Sequence, residues 1–187
     1  MSAIDLLERE RSVIVVVDVQ EAFRTAVPGF DRIARAAATL VASAVEMAVP
    51  VVCTEQYPRG LGETVPEVAS VLPDGSSRLE KTRFSATGAD GFDLEGRDQV
   101  VLCGVETHVC VAQTAVSLLS QGVDVRVVED AVGSRSEADR DVGLRRMTEA
   151  GAVASSVESS LFELLEVAGT TEFKAVQKRI LDLNPGA

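Results

Sequence analysis

The sequence predicts a three-layer α/β/α fold, with a doubly wound, mostly parallel, Rossmann-like sheet of about six strands. Three observations predict it. Short β-branched runs that are apolar on both faces alternate with helical stripes, as buried parallel strands joined by crossover helices do. No repeat, low-complexity block or linker divides the chain, so one domain spans residues 1–187, with a core over about 12–168 and a C-terminal helix over about 173–183. The 187 residues are 46% apolar and 25% charged, a globular composition long enough to bury a substantial core.

Ser12–Asp18 reads as the first buried strand. Ile33, Ala37, Leu40, Val41, Ala44, Val45 and Ala48 then form one helical stripe behind Asp31 as N-cap, and Pro50 stops that helix. Val51–Thr54 is the second strand. Residues 55–79 carry Pro58, Gly60, Gly62, Pro66, Pro73 and Gly75, which predicts a long loop with one helical turn near Glu67–Val71. Leu79–Thr82 and Val100–Cys103 are the next strands. Thr107–Gln121 is a helix closed by Gly122, and Val123–Val128 is another buried strand. Ser136-x-x-Asp139 resembles a capping box and opens a helix that runs to Ala150 before Gly151. A last strand at Ala152–Ala154 precedes helices near Ser159–Val167 and Phe173–Leu183.

Charge and length exclude several function classes. The formal net charge of −11 disfavours nucleic acid and anionic membranes as partners, since both need a cationic counter-surface. The longest aliphatic run, Val13–Val17, is far below the roughly 20 residues that span a bilayer. Charges stand where a secretory signal would be apolar, so a cytoplasmic location is expected, and Cys53, Cys103 and Cys110 suit a reducing compartment. A single histidine rules out a multi-histidine metal site, and no Cys-x-x-Cys pair marks structural zinc. No G-x-G-x-x-G or Walker motif calls for a nucleotide, so neither cofactor nor metal is expected.

Ligands of such folds bind outside the carboxyl ends of the strands. Three polar residues stand there. Asp18 interrupts an aliphatic strand, although an acid can end a strand simply by accepting backbone hydrogen bonds. Lys81 follows the long loop, where a lysine is ordinarily a solvated charge. Cys110 lies in the first turn of a helix; with Thr107 as N-cap, the unpaired amides and the helix dipole favour a thiolate. Cys53 and Cys103, inside apolar strands, read as small core hydrophobes. A cysteine nucleophile needs a base and an electrostatic partner. With no histidine reliably available, a carboxylate whose pKa is raised by burial can serve as base, and an ammonium can steady the sulfur.

These residues resemble a known family. Asp18-x-Gln20, then Lys81-Thr82-x-Phe84-Ser85, then Gly104-Val-Glu-Thr-His-Val-Cys110, is similar in order to the isochorismatase-like cysteine hydrolases. Thr54-Glu-Gln-Tyr-Pro-Arg-Gly-Leu-Gly-Glu-Thr-Val-Pro-Glu67 narrows the resemblance to the isochorismatase domain-containing proteins of unassigned substrate. The segments over 130–136 and 173–178 fit the same branch, so the resemblance covers roughly residues 12–180. It implies the isochorismatase-like hydrolase fold and a catalytic triad of Asp18, Lys81 and Cys110. It further implies a cis peptide between Val105 and Glu106, with the backbone amides of Glu106 and Cys110 forming an oxyanion hole. A Thr107 hydroxyl that capped the Cys110 amide would compete for that donor. Members that bind a metal through histidines after the second strand are not matched, because Glu55-Gln56-Tyr57-Pro58 holds none.

Among further candidates, Gln20 and Gln56 can orient a polar substrate group or simply be solvated, and Phe23, Tyr57 and Phe84 can wall a pocket or fill the core. His108 should point away from Cys110, to the surface or a subunit interface. The expected function is metal-independent hydrolysis of a small amide or related carbonyl compound through a Cys110 thioacyl intermediate. Two rivals share the scaffold: vinyl-ether hydrolysis using Asp18 and Lys81 without a covalent cysteine step, and a non-enzymatic interaction protein. The expected partners are a small-molecule substrate and, by resemblance, further copies of the chain as a homodimer or larger homo-oligomer.

Overall fold

A computed structural model describes residues 5–183. The strands are β1 (Ser12–Val17), β2 (Val51–Gln56), β3 (Arg78–Lys81), β4 (Gln99–Val105), β5 (Asp124–Gly133) and β6 (Val153–Ser155). They form a parallel six-stranded sheet in the order β3-β2-β1-β4-β5-β6. The helices are α1 (Phe30–Glu46), α2 (Pro58–Leu61), α3 (Pro66–Ala69), α4 (Ala112–Ser120), α5 (Glu137–Glu149), α6 (Val157–Leu165) and α7 (Thr171–Leu183).

Period-two alternation divides the core between the two sheet faces. Ile14, Val16, Cys53, Val101 and Cys103 pack in one apolar cluster with α1, α6 and α7. Val13, Val15, Val17, Val100 and Leu102 pack in the other with Ala112, Ala115 and Leu118 of α4 and Met147 of α5. Every residue of β1 is buried, which is why its sequence reads as an unbroken aliphatic run rather than an alternating one. Cys53 and Cys103 are buried core residues, as their strand positions predict.

The strand order reverses direction at β1 and β4, so the crevice at their carboxyl ends is the natural ligand position. Both strands end in special backbone there. Asp18, immediately after β1, has φ 54°, a left-handed conformation that a short polar side chain tolerates. Gly104 in β4 has φ +124°, and a Cβ on it would lie 2.0 Å from the Val17 carbonyl oxygen. Only glycine lets the two chains pass this closely.

Several local expectations are corrected. α1 opens at Phe30 with Gly29 at the N-cap, so Asp31 lies in the first turn and pairs with Arg24 at 2.6 Å instead of capping. The long loop holds two short helices, α2 and α3, each started by a proline at its first position, and β2 extends to Gln56. β5 runs on to Gly133 because a bulge between its pairings with Leu102 and Gly104 lets the strand resume beside β4. Asp130 in that bulge accepts the Val157 amide at 2.9 Å, at the start of α6. Ser136 caps α5 through the Asp139 amide, as the motif predicts.

The start of the cysteine-bearing helix departs furthest from expectation. Residues Thr107–Val111 form a π-helical turn with Glu106 at the N-cap, and α4 proper begins at Ala112. The Thr107 hydroxyl is buried without a hydrogen-bond partner among the described residues, so it does not cap the Cys110 amide. The amides of Val109 and Val111 both donate to the Glu106 carbonyl, at 3.0 and 3.2 Å, passing over Cys110 between them. α5 lies tight against this turn: a Cβ on Gly143 would meet the His108 backbone at 2.8 Å.

Candidate active site

Asp18, Lys81 and Cys110 come from three elements, the end of β1, the end of β3 and the π turn after β4, all at the carboxyl edge of the sheet. The Lys81 ammonium donates to Asp18 Oδ2 at 2.6 Å, Gln56 Oε1 at 2.7 Å and the Phe84 carbonyl at 3.0 Å. Both side chains of the Asp18–Lys81 pair are 0% exposed. A lysine so buried is tolerated because each of its three N–H donors meets an acceptor. Asp18 Oδ1 accepts the Thr54 hydroxyl at 2.8 Å, so both carboxylate oxygens are held. Thr54 escaped the sequence reading; the signal available was a hydroxyl closing an apolar strand.

Cys110 is buried beside this pair, near enough to be influenced by both charges, and lines one cavity with Gln56 and Phe84, both of which bond Lys81. Burial pushes its thiol up to about 12; the Asp18 charge adds to the rise and the Lys81 ammonium opposes it. This direction runs against the thiolate expected from the helix start: the π turn replaces a well-formed first helical turn, and loss of water is the largest cause of the rise.

The sulfur faces a cavity of about 320 Å³ lined by Ala22, Phe23, Gln56, Phe84, Glu106 and Arg135, among others. The two phenylalanines form part of its wall; Phe84, 51% exposed, stands at the mouth. Gln56 is divided between the cavity and its bonds to Lys81 and the Thr82 carbonyl. Gln20 and Tyr57 do not line this cavity. The Gln20 amide bridges the Gln56 amide and the Gln56 and Gly62 carbonyls, tethering the segment after β2 to the end of β1. Tyr57 is 55% exposed and lines a separate cleft with Arg59, Arg83 and Asp90. His108 is half-buried, with Nδ1 3.0 Å from the Ser134 hydroxyl.

The Val105–Glu106 peptide is cis. The buried Glu106 carboxylate accepts both the Arg135 amide (3.0 Å) and Arg135 Nε (2.9 Å) on a single oxygen. Nothing in the sequence marks Arg135 as a site residue beyond its place in the 130–136 segment.

The fold is a doubly wound three-layer α/β scaffold with a carboxylate, an ammonium and a thiol near its switch point, where such sheets bind ligands. Comparison with known proteins makes this specific. The isochorismatase domain model matches residues 12–159, and the chain belongs to the isochorismatase family and carries its hydrolase fold. Isochorismatase domain-containing protein 2A of Mus musculus is 41% identical over 94% of this chain and 85% of its own length. Among solved structures, the MAR1 ribonuclease of Caenorhabditis elegans superposes with a TM-score of 0.88 at 36% identity, covering 95% of this chain and 93% of that one. Two YcaC proteins also superpose. That of Pseudomonas aeruginosa, described with hexane-2,5-diol and covalent acrylamide, has a TM-score of 0.86 at 27% identity over 97% and 95% of the two chains. That of Escherichia coli, described as an octameric hydrolase of unknown specificity, has a TM-score of 0.85 at 26% identity over 98% and 95%.

Proposed function

We propose that the chain hydrolyses a small amide or related carbonyl compound through a thioacyl intermediate on Cys110, without a metal. The observation that carries this reading is the buried Cys110 lining a small cavity whose wall residues Gln56 and Phe84 also hold the ammonium of the buried Asp18–Lys81 pair. Asp18 removes the thiol proton as sulfur attacks the carbonyl carbon, so the costly free thiolate is formed only as its charge moves onto the substrate. Lys81 holds Asp18 and steadies the negative charge that passes between carboxylate and sulfur. The amides of Glu106 and Cys110 receive the oxyanion; Cys110 suits this because the Glu106 carbonyl bonds its neighbours and passes it over. Collapse of the adduct breaks the C–N bond, and the leaving amine takes the proton held by Asp18. Asp18 then takes a proton from water as it attacks the thioester. Sulfur leaves with that proton, and the acid product is released.

The covalent acrylamide described for the Pseudomonas aeruginosa YcaC protein, a relative of the same fold, supports a reactive nucleophile on this scaffold. The cavity has the size of a small molecule rather than a polynucleotide strand, and the net charge of −11 opposes phosphate binding. The ribonuclease activity named for the nematode relative is therefore not the reading favoured here. The octameric relative supports assembly of this chain as a homo-oligomer, and three free thiols suit the cytoplasm.

The test is ammonia release from a panel of small amides by wild type and Cys110→Ala, with acyl-enzyme trapped by acid quench and located by mass spectrometry. Loss of at least about 10³-fold in turnover, with an adduct on Cys110, is expected. Undiminished turnover in Cys110→Ala would overturn the thioacyl mechanism in favour of chemistry that uses Asp18 and Lys81 alone.

A further inference from the structure

The acceptors of the Lys81 ammonium come from three parts of the chain: Asp18 after β1, Gln56 at the end of β2, and the Phe84 carbonyl in the loop that follows β3. The sheet anchors the first two. The third stands in a stretch where residues 82–84 are exposed and Ser85 is half-buried, so packing of its own does little to fix that carbonyl. The first buried residue of this loop is Ala86, which belongs to the same apolar cluster as Cys110 and Ala115. Its amide donates to the Thr114 hydroxyl at 2.8 Å, and that hydroxyl donates onward to the Cys110 carbonyl at 2.7 Å.

A threonine inside a helix can bond the carbonyl four residues back, a purely local contact. Thr148 of α5 does this at the surface, to the Leu144 carbonyl at 3.0 Å. Thr114 of α4 is buried, makes the same local bond, and in addition receives an amide from 28 residues earlier in the chain. One hydroxyl thus joins the loop that holds the Lys81 ammonium to the turn that carries the Cys110 sulfur.

We propose that Thr114 is a positioning residue: by clamping Ala86 to the Cys110 carbonyl it fixes the Phe84 carbonyl, and through it the place of the Lys81 ammonium relative to the sulfur. This role rests on the reaction proposed above, in which Lys81 steadies the charge that passes between Asp18 and Cys110. The ammonium favours ionisation of Cys110, and that influence depends on distance. Thr114→Val keeps the shape of the side chain and removes both bonds. The Ala86 amide is then buried without an acceptor, and the loop must lift from α4 for it to reach water. The Phe84 carbonyl moves with the loop, Lys81 loses an acceptor, and the ammonium is free to shift. A second tether supplies the contrast. Farther along α4, Ser117 Oγ lies 2.9 Å from Thr87 Oγ1, which ties the same loop to the helix without involving Cys110.

The experiment compares the full chain with Thr114→Val, Thr114→Ser and Ser117→Ala, each checked for folding by thermal melting. Turnover is measured on the best amide of the panel. In Thr114→Val, kcat should fall about 10- to 100-fold, the scale of a displacement near 1 Å at a reacting centre, with a smaller change in KM. Thr114→Ser keeps the hydroxyl and should recover most of kcat. Ser117→Ala should stay within about threefold of wild type. The second readout needs no turnover: the rate at which iodoacetamide alkylates Cys110, followed between about pH 8 and 10 by mass spectrometry of the Cys110 peptide. It should slow by at least about threefold in Thr114→Val and recover in Thr114→Ser, because a displaced ammonium leaves less thiolate at each pH. Thr114→Ala, a better helix former, replaces the valine variant if that one does not fold. A merely structural threonine would lower the melting temperature and leave both readouts where they were. Either readout unchanged in Thr114→Val, or the same losses in Ser117→Ala, overturns the proposal. Turnover retained in Cys110→Ala would end the acyl-transfer reading by itself. Alkylation alone then decides the role of Thr114, and a rate unchanged or raised in Thr114→Val sinks it.

Discussion

Removing the Lys81 ammonium tests the buried pair on which the site stands. Lys81→Met keeps most of the side-chain volume but leaves Asp18 Oδ2 with its 2.6 Å partner gone and the carboxylate 0% exposed. Breaking a buried ion pair by deleting one partner costs about 3–5 kcal/mol, because the remaining charge has neither water nor counter-ion. The other two acceptors add less: Phe84 lies at the open mouth and Gln56 lines the cavity, so both can turn to water. The expected destabilisation of about 3–5 kcal/mol is a large share of the roughly 5–15 kcal/mol that holds a domain folded. Urea unfolding followed by far-ultraviolet circular dichroism is the assay, since the chain has no tryptophan and one tyrosine. Adding Asp18→Asn removes the stranded charge while keeping an acceptor for the Thr54 hydroxyl, so the double variant should be more stable than Lys81→Met alone. Salt should change the cost little, because a buried pair is poorly screened. A cost below about 1 kcal/mol, or a double variant destabilised by the sum of the two singles, would refute the claim that the pair is dry and coupled.

Two further outcomes follow from the same geometry. Burial holds the Cys53 and Cys110 thiols up at about 12 and raises Cys103 as well, whereas unfolded thiols ionise near 8.5. The unfolded chain therefore releases protons that the folded chain keeps. Stability should be fully present below about pH 8.5 and fall as pH rises toward 12, by roughly 1 kcal/mol per pH unit for each thiol; urea midpoints between pH 7.5 and 10 that stay level would contradict this. Gly104→Ala forces a Cβ to within 2.0 Å of the Val17 carbonyl oxygen at φ +124°, and should lower the melting temperature by at least about 5 °C or prevent folding. A melting curve matching wild type would show that β1 and β4 separate more easily than their contact implies.

The strands were legible because burial on both faces writes itself into consecutive residues: Val13–Val17 needs no knowledge of its neighbours to be read as a central strand. Helix ends were less legible. Ser136 announces its cap through its own hydroxyl, but α1 begins at Gly29, where only the path of the preceding loop sets the turn. Asp18, Lys81 and Cys110 stand out in sequence as polar residues at element ends. What each does there depends on surroundings brought together across the fold. Lys81 reads as a surface charge until Asp18, 63 residues earlier, and the Phe84 carbonyl are placed around it.

The sequence by itself determined the alternation of strands and helices, a mostly parallel sheet of about six strands and the three polar candidates at element ends, because periodicity, glycine and proline act over a few residues. Tertiary structure alone decided the rest. It turned Gln20 into a tether, set Arg135 beside Glu106, replaced a capped first turn with a π turn, and buried the Cys110 thiol so that its pKa is raised. The physical reason is range. Local conformation is a property of neighbours along the chain, whereas desolvation and charge pairing are properties of neighbours in space.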